Sequence, residues 1–203
     1  MHGETTMNGI ARWHKAPLAL SAVLLASCAT TTAPPRAQLD EARAIAARVP
    51  ANLLTVLSTE LQSKGPSGAI EVCQVKAPEM ARNASAQTGW QIRRASLRNR
   101  NPKGVPDAWE RATLEEFDAK QAAGADAATL ERAEVVNDGG MQWVRYAKAL
   151  PTQPLCVQCH GPVDQLGPGV QAKLAALYPD DRGTGYAPGQ IRGGLFLKRP
   201  VQR

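Results

Sequence analysis

Cys156-Val157-Gln158-Cys159-His160 sets two thiols three residues apart and an imidazole directly after the second. This is the spacing for covalent attachment of a c-type haem, in which each thiol adds to one vinyl group and the histidine is held against one face of the iron. The same five residues have competing readings, a zinc site or a dithiol that forms a disulfide. Zinc requires a fourth ligand, and a redox dithiol has no need of the histidine. Of the three histidines, His2 and His14 lie in the leader described below, so His160 is the imidazole of the remaining chain.

An iron with His160 on one side leaves the opposite side to be filled. Cys73, Met80, Met141 and the lysines are the candidates, beside an open position. Cys73, Ala77 and Met80 fall at i, i+4 and i+7 on one helical face, yet Cys73 and Met80 stand about 10 Å apart along the axis at 1.5 Å per residue. One of the two, not both, fits over a single iron.

The elements that must carry these residues are readable from the pattern. Leu39, Ala42, Ala46, Val49, Leu53, Leu57 and Leu61 recur every three or four residues, the stripe of an amphipathic helix, with Pro50 predicted to kink or break it. Gly65-Pro66-Ser67 interrupts the run, and Ser67 is the expected cap of a second helix, about 69–86, that carries Cys73 and Met80. Residues 90–97 suit a strand, 98–104 form a basic loop, and Pro106-Asp107 opens a helix with Trp109, Leu114 and Phe117 inward. The runs 133–136 and 141–150, joined by Asn137-Asp138-Gly139-Gly140, read as a hairpin, which Pro151 and Pro154 end just before the two thiols. A short helix after Gly167-Pro168-Gly169 and a strand over 191–201 complete the chain. Helices first and strands after them predict an α+β domain with an antiparallel sheet enclosing one ligand. Aromatic residues make up only 4% of the sequence, so a porphyrin would supply a large part of the apolar core.

The first residues read as an export signal: Arg12, His14 and Lys15 precede the apolar run 16–26, which is too short to span a bilayer as a helix. Met7 would give this leader a more usual length. Leu25-Ala26-Ser27-Cys28 resembles the signal box of bacterial lipoproteins, with Cys28 carrying lipid as the first mature residue. The expected organisation is a signal peptide over 1–27, a lipidated Cys28 with a Pro/Thr/Ala tether over 28–36, and one domain over 37–203. Without the leader the net charge falls from +6 to +5, by loss of Arg12, Lys15 and Glu4. That surplus is compatible with docking on anionic lipid or an acidic redox partner. No segment has the pattern of a nucleic-acid module. Export and haem attachment agree, since c-type haems are attached outside the cytoplasmic membrane, and a leftover thiol at Cys73 there requires a function.

Cys73-Gln74-Val75-Lys76-Ala77-Pro78, then Arg94-Ala95-Ser96-Leu97-Arg98-Asn99-Arg100-Asn101-Pro102 with Trp109-Glu110, then the residues from Cys156 to Gly161, then Tyr178-Pro179-Asp180-Asp181, Gly185-Tyr186 and Gly189-Gln190-Ile191-Arg192-Gly193 resemble the PAS-like haem-c domain family. The resemblance runs in the family's order over nearly the whole of the chain after Cys28. It implies a PAS-like fold, one haem c per chain, occurrence alone or as a sensory input, and Cys/His iron ligation as in a cyanobacterial member. By position it implies His160 as proximal and Cys73 as distal ligand. Gly104 and Gly194 depart from the family's usual residues, and neither is a ligand position.

A thiolate opposite the histidine favours the ferric state and predicts a low potential. The expected function is that of an exported mono-haem cytochrome lipoprotein on the periplasmic face of a bacterial membrane, transferring electrons to a partner protein. Ala29, in place of the aspartate that resembles an inner-membrane retention signal, points to the outer membrane. The alternative is a redox or gas (CO/NO) sensor in which the distal cysteine is displaced. An enzyme of peroxidase type would require a distal acid/base, and no second histidine supplies one. Arg93, Arg94, Arg98 and Arg100 are the candidates to pair with haem propionates.

Overall fold

A computed structural model describes residues 33–202, so the expected leader, the lipidation site Cys28 and most of the tether lie outside the described residues. No described helix is long and apolar enough to cross a membrane. The chain begins with α1 (Arg36–Glu71), passes through a π-helical segment at Val72–Lys76, and continues as α2 (Ala77–Thr88). Then follow β1 (Gln91–Ala95), α3 (Ala108–Ala122), β2 (Glu131–Asp138), β3 (Met141–Pro151), the single turn α4 (Val157–His160), α5 (Pro168–Leu177) and β4 (Ile191–Pro200).

Of the kink or break expected at Pro50, the break does not occur. Helical dihedrals continue through it, because a proline removes one N–H bond and bends a long helix without forcing an end. The real break is at Gly65, where φ 67° and ψ 179° lie in a region open to glycine alone. Pro66 then opens the next turn, and the expected cap at Ser67 is not formed.

The four strands make one antiparallel sheet in the order β1-β4-β3-β2, so the last strand of the chain is central. The hairpin turns on Gly139 and Gly140 with φ of 60° and 76°, the mirror-image turn that matches strand twist. Side chains alternate between two cores. Leu195 and Leu197 of β4 join Trp90, Tyr146 and Val144 under Ala42 and Ile45 of α1. Phe196, pointing the other way, packs with Ala147, Leu114 and Phe117 against α3. Gly194 faces that second core: a Cβ there would come within 2.8 Å of the Phe196 ring.

Helix α3 starts at a reciprocal cap in which Asp107 Oδ1 accepts from Glu110 N (2.8 Å) and Glu110 Oε2 accepts from Asp107 N (2.9 Å). Burial raises the Glu110 carboxyl above its ordinary range. Asp107, though burial opposes it, is held low by the Glu110 amide and Arg145. Asp107→Ala removes the cap and an Arg145 ion pair of 2.7 Å, and is expected to cost about 1–2 kcal/mol in urea unfolding, with no change in the cavity described next.

Candidate functional site

Between the later part of α1 and the sheet lies a cavity of about 290 Å³ that adjoins a second of about 420 Å³. Leu53, Leu57 and Leu61 of α1 and Leu150 and Leu195 of the sheet give the first an apolar wall. Cys73, Cys156, Cys159 and His160 all line it, so the fold brings together the four residues whose types suggested chemistry. Met80 and Lys148 also line it, whereas Met141, a sequence-based candidate for the distal position, is exposed at the end of the hairpin and is excluded by its location.

Each functional side chain has a local reason for its place. Cys73 lies in the π-helical segment, where one extra residue per turn is accommodated; such segments are rare, cost hydrogen-bond geometry and concentrate at functional sites. Cys159 faces the break in α1, its Sγ 3.9 Å from Pro66 O. Its neighbours Ile70, Leu166 and Leu174 form a small core between α1 and α5. Cys156 and Cys159 are free thiols. Burial is the chief cause that raises both, Cys159 to about 11, with Cys73 adding to the effect. A redox-active dithiol has the opposite character, a thiol held low so that the thiolate is available.

His160 is fixed by the loop after α5. Its Nδ1 is 2.6 Å from Gly183 O and 3.1 Å from Arg192 Nε. One nitrogen cannot both donate to a carbonyl and accept from a guanidinium, and an unprotonated Nδ1 against the oxygen at 2.6 Å would place two lone pairs in contact. The geometry therefore selects Nδ1–H donating to Gly183 O, which leaves the lone pair of Nε2 for a metal. Burial, then Arg192 and Arg100, push the imidazole well below its ordinary value, so it is neutral, as a ligand must be.

Arg100 is buried and ties the loop to the thiol motif, with Nε 2.9 Å from Asp181 Oδ2 and Nη2 2.6 Å from Cys159 O. Two backbone bonds, Gly185 N to Gly161 O (2.7 Å) and Tyr186 N to His160 O (2.8 Å), continue the strap. Of the arginines put forward as propionate partners, Arg93 is bound to Glu110 and to Lys103 and Val105 carbonyls. Arg98 is bound to Thr184 O and lies over the Tyr186 ring, and Arg100 is committed as described. These three are thus engaged by protein groups, although Arg100 lines both cavities and Arg93 the second. Arg94 lines both cavities.

Arg192 was not singled out by its sequence. The pairing passes from Leu150↔Gly193 to Pro151↔Ile191, so Arg192 is the extra residue of a bulge, and the bulge re-aims its side chain at His160. Burial lowers its guanidinium to about 10. The only sequence signal was its place in Gly189-Gln190-Ile191-Arg192-Gly193.

The donor set fits a haem: two thiols at vinyl-attachment spacing, a neutral imidazole with a free Nε2, a third thiol, apolar walls, and no Asp or Glu lining either cavity. The fold and site together define an α+β domain with a thiol- and imidazole-lined pocket between a bent helix and an antiparallel sheet. The chain belongs to the Tll0287-like family, whose model matches residues 28–200. The fold is similar to the crystal structure of the cyanobacterial heme-protein Tll0287, with a TM-score of 0.63 and 24% identity over 83% of this chain and 98% of that one. No curated protein matches the chain.

Proposed function

We propose that the chain is an exported mono-haem c-type cytochrome, a lipoprotein that transfers electrons through a low-potential haem ligated by His160 and Cys73. The observation that carries this reading is the convergence of Cys156, Cys159, His160 and Cys73 on one apolar cavity. Family membership, and the description of the similar solved protein as a heme-protein, support it. When bound, the haem supplies reversible one-electron chemistry. Cys156 and Cys159 hold it covalently, so the weak packing of a chain poor in aromatics need not retain it. His160, fixed through Nδ1, presents Nε2, and Cys73 as thiolate stabilises the oxidised state. The leucines of α1 keep water out, which holds the reorganisation on electron transfer small. Cys28 would anchor the domain through lipid to the periplasmic face of a membrane, the outer membrane by our reading, and the net positive charge suits an acidic redox partner. No distal histidine is available for peroxidase chemistry, and we do not read the protein as an enzyme.

A second reading, a redox or gas sensor, is favoured by the π-helical segment at Cys73. A segment with poor hydrogen-bond geometry changes conformation at low cost, and release of Cys73 as a protonated thiol would turn and shift α2.

The test is a pyridine haemochrome spectrum and an intact mass on protein matured in a host with haem-attachment machinery. One haem per chain is expected. Absence of a Soret band, with the mass of polypeptide plus acyl groups alone, overturns the proposal. Reduced protein with and without CO then separates the two readings: a carrier keeps its spectrum and a sensor takes up the gas.

A further inference from the structure

The strand register places three residues in one row across the sheet. Arg94 of β1 pairs with Leu195 of β4, and Leu195 pairs with Lys148 of β3, so the two cations flank one leucine on the same face. Strands are spaced about 4.8 Å apart, which sets the two backbones about 10 Å from each other. All three residues line the cavity that holds the thiols and His160. Along β4 the row lies three residues from Arg192, about 10 Å at 3.3 Å per residue.

The cations in this row are uncommitted. Arg94 and Lys148 have no hydrogen-bond or ion-pair partner among the described residues. The next residue in the row, Glu131, is bound to Arg43 (2.6 Å) and to Tyr146 Oη (2.8 Å). Arg100 pairs with Asp181, and Arg192 with Ser96 Oγ and Arg98 O. No carboxylate lines either cavity; Arg94 is exposed and Lys148 is half-buried beside Glu131, so both side chains are free to meet an anionic group in the cavity.

We propose that Arg94 and Lys148 bind the two propionate carboxylates of the haem, with Leu195 packed under the edge between them. The inference rests on the haem reading above. Both are positioning residues, and their charges also favour the reduced state by offsetting the carboxylates.

The experiment compares wild type, Arg94→Gln, Lys148→Gln, the double variant and Arg111→Gln by potentiometric titration between pH 5 and 9. Arg111, exposed on α3, is a matched loss of one charge outside the site. Covalent haem is quantified first by pyridine haemochrome: wild type without haem overturns the functional reading, whereas haem-replete variants test this inference alone. At pH 8 the double variant is expected to show a reduced-to-oxidised ratio about tenfold below wild type at the same applied potential, 59 mV for one electron. The deficit should close towards pH 5, because a carboxylate without its cation takes up a proton and the lost charge is compensated. Arg94→Lys, which keeps the charge, should restore most of the ratio. A haem-replete double variant with the wild-type potential and pH profile overturns the proposal. So does a pH-independent deficit that Arg111→Gln reproduces. If the double variant yields no soluble protein, the two single variants decide by the same criteria, each with a smaller pH-dependent deficit expected.

Discussion

Cys73→Ala is expected to raise the midpoint potential of the haem-loaded protein by about 100 mV or more and to change its ferric spectrum, with covalent haem content unaltered. The thiolate delivers a full negative charge to the iron, and this stabilises the ferric over the ferrous state; removing it lifts the bias. Attachment is unaffected because Cys156 and Cys159 provide it independently. The fold tolerates the change because Cys73 is half-buried at the cavity and belongs to none of the three cores. Spectra of oxidised and dithionite-reduced protein, with a redox titration, make the comparison. An unchanged ferric spectrum would show that Cys73 is not the distal ligand, and Met80 or Lys148, which line the same cavity, would then be substituted in turn.

Gly193→Ala is expected to destabilise the domain by about 3–5 kcal/mol. Gly193 has φ 153°, and a Cβ there would stand 2.4 Å from Ala95 O and 3.1 Å from Ser96 Cβ. The carbonyl belongs to β1, paired with β4 through Ala95↔Gly194, and cannot withdraw without opening that ladder. The same glycine adjoins the bulge that aims Arg192, so the strain reaches His160 as well as the sheet. For a domain of this size the loss corresponds to a fall in melting temperature of about 10 °C. Thermal unfolding followed by circular dichroism measures it, and a variant that melts within about 2 °C of wild type would show that the bulge relaxes freely.

Much of this molecule is legible in the one-dimensional pattern. The Asp107 start of α3, the glycine turn of the hairpin, the Gly65 break and the closing strand are all signalled by neighbours within a few residues. So are the two thiols and the imidazole, since the Cys-x-x-Cys-His spacing is set by the size of the group it would hold. The π-helical segment at Cys73 left no mark in the local pattern. Of four neighbouring arginines, three are engaged by other groups of the protein. Strand alternation turns Arg93 to Glu110, and long-range contacts engage Arg98 and Arg100, a division that depends on which face of the sheet each one meets.

By itself, then, the amino-acid order determined the family, the α+β class, the elements and the identity of every thiol and imidazole in the site. Only the tertiary structure decided that Cys73 meets Cys156, Cys159 and His160 in one cavity, that Gly183 selects the tautomer of His160, and that Arg192 enters through a bulge while Arg94 and Lys148 share a row. The physical reason is one of range: propensities, caps and turn chemistry act over a few bonds. Register, bulges and the path of α1 over the sheet are settled by contacts between residues far apart along the chain.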